Sequence, residues 1–268
     1  MQMSIHERAR AHALRLLNNG PGTETLLNEV FEFLAHYRCH LLGNTIVSKG
    51  GPVVSGGPFA GMKLVQPATG FFAPMLLGCY EEELHGIVRA IPDAGYEHVI
   101  NIGCGDGYYA VGIKRLAPSV EIWAHDIDPQ QQERCRAMAA LNGVDIHVGG
   151  AFEPERFATH ADRRTLIWCD IEGAEEELLD PVRWPALVDM DVLVELHPTD
   201  HGHTRATVPA RFASTHEIEI FQSGGHAPEF PEWLREAGQL NLLLAQFEGR
   251  GAPTPWAMMR ARSKAGAV

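Results

Sequence analysis

From Tyr96 to Arg262 short apolar runs alternate with longer mixed stretches, a rhythm that predicts a parallel sheet covered by helices on both faces. The runs lie at about 98–102, 120–125, 144–148, 165–169, 191–196, 216–221 and 256–262. Val99-Ile100-Asn101-Ile102 is typical of them: short, apolar and β-branched, as suits a strand buried on both faces. Helices are expected between them at about 107–117, 129–142, 174–180, 205–213 and 231–245. The first third reads differently. Ser4 to Asn18 predicts a helix that stops at Asn19-Gly20-Pro21-Gly22. Thr23 to Leu42 predicts a second, with Leu27, Val30, Phe31, Leu34, Tyr37 and Leu41 along one buried face. Gly43 to Phe72, rich in glycine, reads as small strands or a hairpin layer covering a ligand site. Leu76 to Leu84 then leads into a helix ending near Ile91, whose first-turn acids favour the helix dipole.

These patterns divide the chain into an N-terminal helical and glycine-rich segment, 1–95, and an α/β domain, 96–262, followed by a frayed tail. At 268 residues, 45% hydrophobic and 21% charged, the chain has the balance of an ordinary globular protein with a sizeable core. Its formal charge of −12 argues against nucleic acid or an acidic membrane as partner and favours a small-molecule acceptor. The cysteines, five and scattered with no C-x-x-C pair, suit a reducing compartment. With no membrane span and no secretory leader expected, the cytoplasm is the predicted location; self-association is left open.

The chemistry begins where the first strand ends. Gly103, Gly105 and Gly107 follow it at spacing two, so the backbone there either needs positive φ or lies against a ligand. Asp106 is placed to cap the next helix. A dinucleotide fingerprint needs glycine at 108, and position 108 is Tyr. The second strand ends in Asp126-Ile127-Asp128-Pro129, and an acid roughly 20 residues beyond the glycine loop is where a ribose diol is gripped. Together the G-x-G-x-G loop and Asp126 resemble class I S-adenosylmethionine (SAM)-dependent methyltransferases. That resemblance implies a Rossmann-like, seven-stranded, doubly wound α/β sheet with its last strand antiparallel, and SAM as cofactor. It places Gly103, Cys104, Gly105, Gly107, Asp126 and Ile127 around the cofactor; the acid that such enzymes often carry after the third strand is missing, so backbone contacts and packing by Ala151 or Phe152 are expected there. Gly57 to Met62 also recurs in methyltransferase-like proteins. Tyr80 and Glu81 are further candidates for the cofactor or acceptor, beside the plain reading of helix-end charge.

After the fourth strand, Asp170-Ile171-Glu172-Gly173-Ala174-Glu175 forms a D-x-E-G-x-E pattern similar to that of FkbM-type methyltransferases. The resemblance puts Asp170 near the cofactor's amine, where a charge-assisted hydrogen bond would hold it. Glu172 would reach the acceptor or, equally, favour the N-terminus of the next helix, and Glu175 is read as doing the latter. After the fifth strand, Glu195 and His197 share one side by period-two alternation. His197 titrates near neutrality when unperturbed, so it is the candidate base for O-methylation of a hydroxylated, sugar-like acceptor. The chain's 14 histidines reduce the weight of each; His125, His160 and His226 are read as surface or packing residues. Asp170, Glu172, Glu195, His197, His201 and His203 leave a divalent ion open as an alternative, not an expectation. N-methylation, and a protein that binds SAM or a nucleotide without catalysis, stay open beside the first reading.

Overall fold

The computed structural model describes residues 3–19, 24–65, 72–199, 202–224, 228–251 and 254–262. Contacts divide the chain into two units. A helical unit comprises Met1–Gly56, Gln66–Tyr80 and Ala227–Gly249; a sheet unit comprises Gly57–Val65, Glu81–His226 and Arg250–Val268. The expected stop at Gly20-Pro21-Gly22, the tail, His201 and His226 lie outside the described residues, as does the side chain of His203.

In the helical unit α1 is Ile5–Asn19, α2 is Glu24–Gly50 and α3 is Phe72–Leu77. Here the structure corrects two expectations. The second helix does not end near Leu42 but runs to Gly50, taking Gly43 and the TIVS run expected to be extended. Gly43 is buried within it, a position where an ideal Cβ would sit 3.5 Å from that of Phe72. The buried face is also rotated: Leu26, Val30, Ala35, Cys39, Leu42 and Ile46 are buried, while Leu27, Phe31 and Leu34 are exposed. Within this unit Cys39 Sγ donates to the Leu244 carbonyl at 2.9 Å, and Arg38 Nε to Asn241 Oδ1 at 2.8 Å.

The sheet unit holds α4 (His85–Ala90), β1 (His98–Ile102), α5 (Tyr108–Leu116), β2 (Glu121–His125), α6 (Pro129–Asn142) and β3 (His147–Gly149). It continues with β4 (Thr165–Cys169), α7 (Glu175–Leu178), β5 (Asp191–Glu195), α8 (Thr204–Phe212), β6 (His216–Phe221) and β7 (Trp256–Ala261). The helix expected over 231–245 is two in the helical unit, α9 (Glu232–Glu236) and α10 (Gln239–Ala245), divided at Gly238, whose φ is +91°.

The seven strands form one α/β sheet in the order β3-β2-β1-β4-β5-β7-β6. The first five are parallel to their neighbours, and β7 pairs antiparallel with both β5 and β6. Central β4 is buried at every position and β1 at all but His98, which is why these strands read as unbroken apolar runs. The expected Rossmann-like doubly wound architecture, its seven strands and its antiparallel last strand are all present. As expected too, Asp128 caps α6 by accepting from Gln130 N at 2.8 Å, ahead of Pro129, and Gly143 closes the helix at φ +66°.

Gly57–Val65 joins the sheet unit through Phe59, which is buried edge-on against Tyr108 with ring centroids 5.2 Å apart. The Phe59 ring fills a notch in α5 at Gly112, where an ideal Cβ would lie 2.6 Å from it. That contact braces the helix that begins at the glycine loop. Glycine to alanine inside a helix ordinarily stabilises by about 1 kcal/mol. We expect Gly112→Ala to do the reverse, losing about 1–3 kcal/mol to overpacking in urea melts, with Phe59→Leu relieving part of the loss. A stabilised Gly112→Ala would show that Phe59 does not fill this notch.

Candidate active site

The parallel strands deliver their carboxyl ends to one edge of the sheet unit, where an open α/β sheet binds ligands. A cleft of about 530 Å³ lies there, walled in part by Gly103, Asp126, Ile127, Ala151, Asp170 and Glu172. Phe152 and Trp184 add aromatic surface to it. Six positions singled out in the sequence therefore meet at one cavity.

The three loop glycines differ in what they face. A Cβ on Gly103 (φ +79°) would lie 1.6 Å from the Asp170 carbonyl oxygen, and one on Gly107 (φ +92°) 2.8 Å from Cys135 Sγ. Both are glycine because protein lies against them. Gly105 has φ +52° and no heavy atom within 4 Å of its ideal Cβ, so it faces open space. Asp106 Oδ1 accepts from Tyr108 N, the first residue of α5, at 3.3 Å, but the N-cap position is Gly107 and not Asp106 as expected. Asp126 Oδ2 accepts from Gly105 N at 2.9 Å and its Oδ1 from Asp128 N at 2.8 Å. The acid at the end of β2 thus holds the loop in shape. Beside it Ile127 is 83% exposed, an unusual position for an apolar side chain on a cleft wall. Cys104 is buried behind the loop.

A charge cluster gathers at the ends of β4 and β5. His197 is buried, and four carboxylates surround its ring. Its Nδ1 lies 2.9 Å from Glu175 Oε1; its Nε2 lies 3.3 Å from Glu195 Oε2, 3.4 Å from Glu172 Oε2 and 3.8 Å from Asp170 Oδ1. Burial by itself would push the imidazole toward neutrality, but the bonds to Glu175 and Glu195 win and raise its pKa to about 10. The residue expected to accept a proton at neutral pH is therefore held as a cation. Burial opposes ionisation of Glu195 as well, yet His197, Arg250 and Thr254 together lower it to about 2. Asp170 moves the other way, raised by burial first and by Glu195 next. Its Oδ1 is buried and has no hydrogen-bond partner.

Further along the same edge, Arg250 bonds to Glu195 Oε1 and, at 2.6 Å, to Glu81 Oε1. Tyr109 donates to the other oxygen of Glu81. Burial above all, then the charge of Glu195, raises the pKa of Glu81. Glu81, expected at the cofactor or acceptor, thus has its carboxylate engaged by Arg250 and Tyr109. Tyr80 belongs to the helical unit and is half-buried there. Among the described residues the non-glycine positive-φ positions are Glu81 (φ +48°) and Glu172 (φ +54°), and both carry carboxylates of this edge. His160 packs against His98, as expected, whereas His125, expected to be surface or packing only, bonds to the Gly150 carbonyl and also lines the cleft.

Sequence reasoning missed Arg250, Tyr109 and Thr254, for which no motif gave a signal. Glu175 had one, as the last acid of its motif, but was read as helix-end charge. It is the first residue of α7 and is also fully buried against His197. Among the described residues Asp170, Glu172 and His197 present donor atoms within 4.8 Å of one another, a spacing compatible with a cation.

No family model matches the chain. A release factor glutamine methyltransferase of Deinococcus radiodurans is 32% identical over 63 residues, which are 24% of this chain and 23% of that protein. The chain thus spans under a quarter of that relative's length. Solved structures of similar fold include a precorrin-6y C5,15-methyltransferase from Geobacter metallireducens, 14% identical, covering 66% of this chain and 87% of that one with a TM-score of 0.44. Another is an O-methyltransferase from Bacillus cereus in complex with SAH, 10% identical, covering 84% and 90% with a TM-score of 0.42. Among the described residues no helix is long and apolar enough to cross a membrane.

The His197 cluster makes a signed prediction for stability. A raised histidine pKa contributes stability that is complete below its unfolded value, 6.5, and is lost as pH climbs toward about 10. A lowered glutamate pKa contributes stability that is complete above 4.5 and is lost as pH falls toward 2. His197→Gln should therefore flatten the fall in melting temperature between pH 7 and 10. An unchanged alkaline slope would mean that His197 is not held as a cation.

Proposed function

We propose that this chain is a SAM-dependent methyltransferase that acts on a hydroxyl of a small, sugar-like molecule. The observation that carries this reading is the cleft of about 530 Å³ at the carboxyl ends of the parallel strands, lined by Gly103, Asp126, Ile127, Ala151 and Asp170. When bound, SAM supplies a methyl group on a positively charged sulfur. The residues of the cleft suit such a ligand. Asp126, fixed by two backbone N–H groups, would take ribose hydroxyls. Ile127, Ala151 and Phe152 offer apolar surface to a base. The buried Oδ1 of Asp170, which has no hydrogen-bond partner, would suit an ammonium group. The resemblance to FkbM-type proteins in the D-x-E-G-x-E pattern supports the same assignment.

The acceptor side would be the ends of β4 and β5. Alignment and exclusion of water supply most of the rate there, and well-oriented reactants gain about 7–11 kcal/mol from proximity. Because His197 is held as a cation, the role of proton acceptor passes from it to Glu172, the exposed carboxylate of the cluster. His197 and Glu195 would then set the field around the acceptor. An amine acceptor is the second reading, favoured by the four carboxylates around one imidazole. A divalent ion on Asp170, Glu172 and His197 would show itself as activity lost to chelator and restored by Mg²⁺ or Mn²⁺.

Calorimetry should show binding of SAM or SAH and none of NAD. Gly105→Val should abolish that binding while the circular dichroism spectrum is kept. Asp126→Ala should weaken it by about 1.5–3 kcal/mol, roughly tenfold to a hundredfold. NAD binding without SAM binding would defeat the reading. With labelled SAM and a small-molecule extract, Glu172→Gln should slow methyl incorporation by about 10²-fold or more; full incorporation would remove Glu172 from the chemistry.

A further inference from the structure

One oxygen links the two loops on which the acceptor side is built. Glu175 Oε1 lies 2.9 Å from His197 Nδ1 and accepts from Gly173 N at 3.1 Å and from Ile171 N at 3.4 Å. Ile171 and Gly173 flank Glu172, so two of these bonds fix the backbone that carries Glu172 at φ +54°. The third fixes the ring of His197. With Nδ1 committed to Glu175, Nε2 is directed at Glu195, Glu172 and Asp170. The side chain of Glu175 is fully buried. Resting on the proposed acceptor side, we propose that Glu175 is a positioning residue, whose single oxygen sets the ring of His197 and the loop of Glu172 relative to each other.

The chemistry of the three donors favours this role over a helix-end charge. A carboxylate that served only the start of α7 would be solvated and would need no contact with β5 or its loop. Glu175 instead reaches across 22 residues of chain to a buried histidine. Asp170, Glu172 and Glu195 face Nε2, and Arg250 and Thr254 bond to Glu195.

The test compares Glu175→Gln, which keeps an acceptor oxygen, with Glu175→Ala, which removes it. In ¹⁵N spectra the wild type should give a slowly exchanging His197 Nδ1–H signal. Glu175→Gln should keep it, and Glu175→Ala should lose it while SAH affinity in calorimetry stays at the wild-type value. Incorporation of labelled methyl from SAM into a small-molecule extract should fall about 10²-fold in Glu175→Ala, the scale of a misplacement near 1 Å, and recover largely in Glu175→Gln. Loss of the signal in Glu175→Gln, or wild-type incorporation in Glu175→Ala, would overturn the proposal. Should Glu175→Ala fail to fold, the signal in Glu175→Gln decides alone. Failure of SAH to bind the wild type would strike the methyltransferase reading, and the Nδ1–H comparison would still judge the positioning role.

Discussion

The approach of the end of β1 to the end of β4 governs the site. At position 103 a Cβ would fall 1.6 Å from the carbonyl oxygen of Asp170, so only glycine allows the two central strands to end side by side. The parallel ladder continues through this contact, with Asp170 N donating to the Ile102 carbonyl at 2.9 Å. Because of it the glycine loop and the acidic loop share one edge of the cleft. The neighbouring loop end is held as firmly, since Gly103 N and Cys104 N both donate to the His125 carbonyl. The glycine loop, Asp126 and the acidic motif are therefore one hydrogen-bonded assembly, braced by Phe59 against α5.

On this frame sits an excess of carboxylates that the fold does not neutralise by itself. His197 and Arg250 are placed among Glu81, Asp170, Glu172, Glu175 and Glu195, and the acids divide according to who their partners are. Glu195, bonded to both cations, is held ionised; Asp170 and Glu81 are pushed up by burial and by its charge. Groups whose pKa values are driven apart within one cluster mark a candidate functional site. A ligand that brings positive charge would relieve Asp170, whose Oδ1 lies 3.8 Å from His197 Nε2 but has no hydrogen-bond partner. The electrostatic strain and the open space at Gly105 thus belong to the same ligand hypothesis, although they come from different residues.

Much of this was legible along the chain. The strands were found within about three residues of their observed ends because a buried parallel strand is a short apolar run whatever surrounds it. The glycine loop, Asp126, the cap at Asp128 and the D-x-E-G-x-E pattern were legible for a related reason, since each is a local backbone requirement met by residues a few positions apart. Where local pattern competed with tertiary packing it failed. The apolar residues Leu27, Phe31 and Leu34 follow a helical period as well as Leu26, Val30 and Cys39 do, and nothing local decides which stripe is buried.

The sequence by itself determined the sheet, the place of the glycine loop and part of the cleft's wall, because spacing along one strand–loop–helix unit fixes them. Only the tertiary structure decided what the residues at the ends of β4 and β5 do. The charge of His197 depends on Glu175 and Glu195, 22 and 2 residues away, and that of Glu195 on Arg250, 55 residues further on. Coulomb energy and desolvation depend on distance in space and on burial, and neither is written in sequence separation.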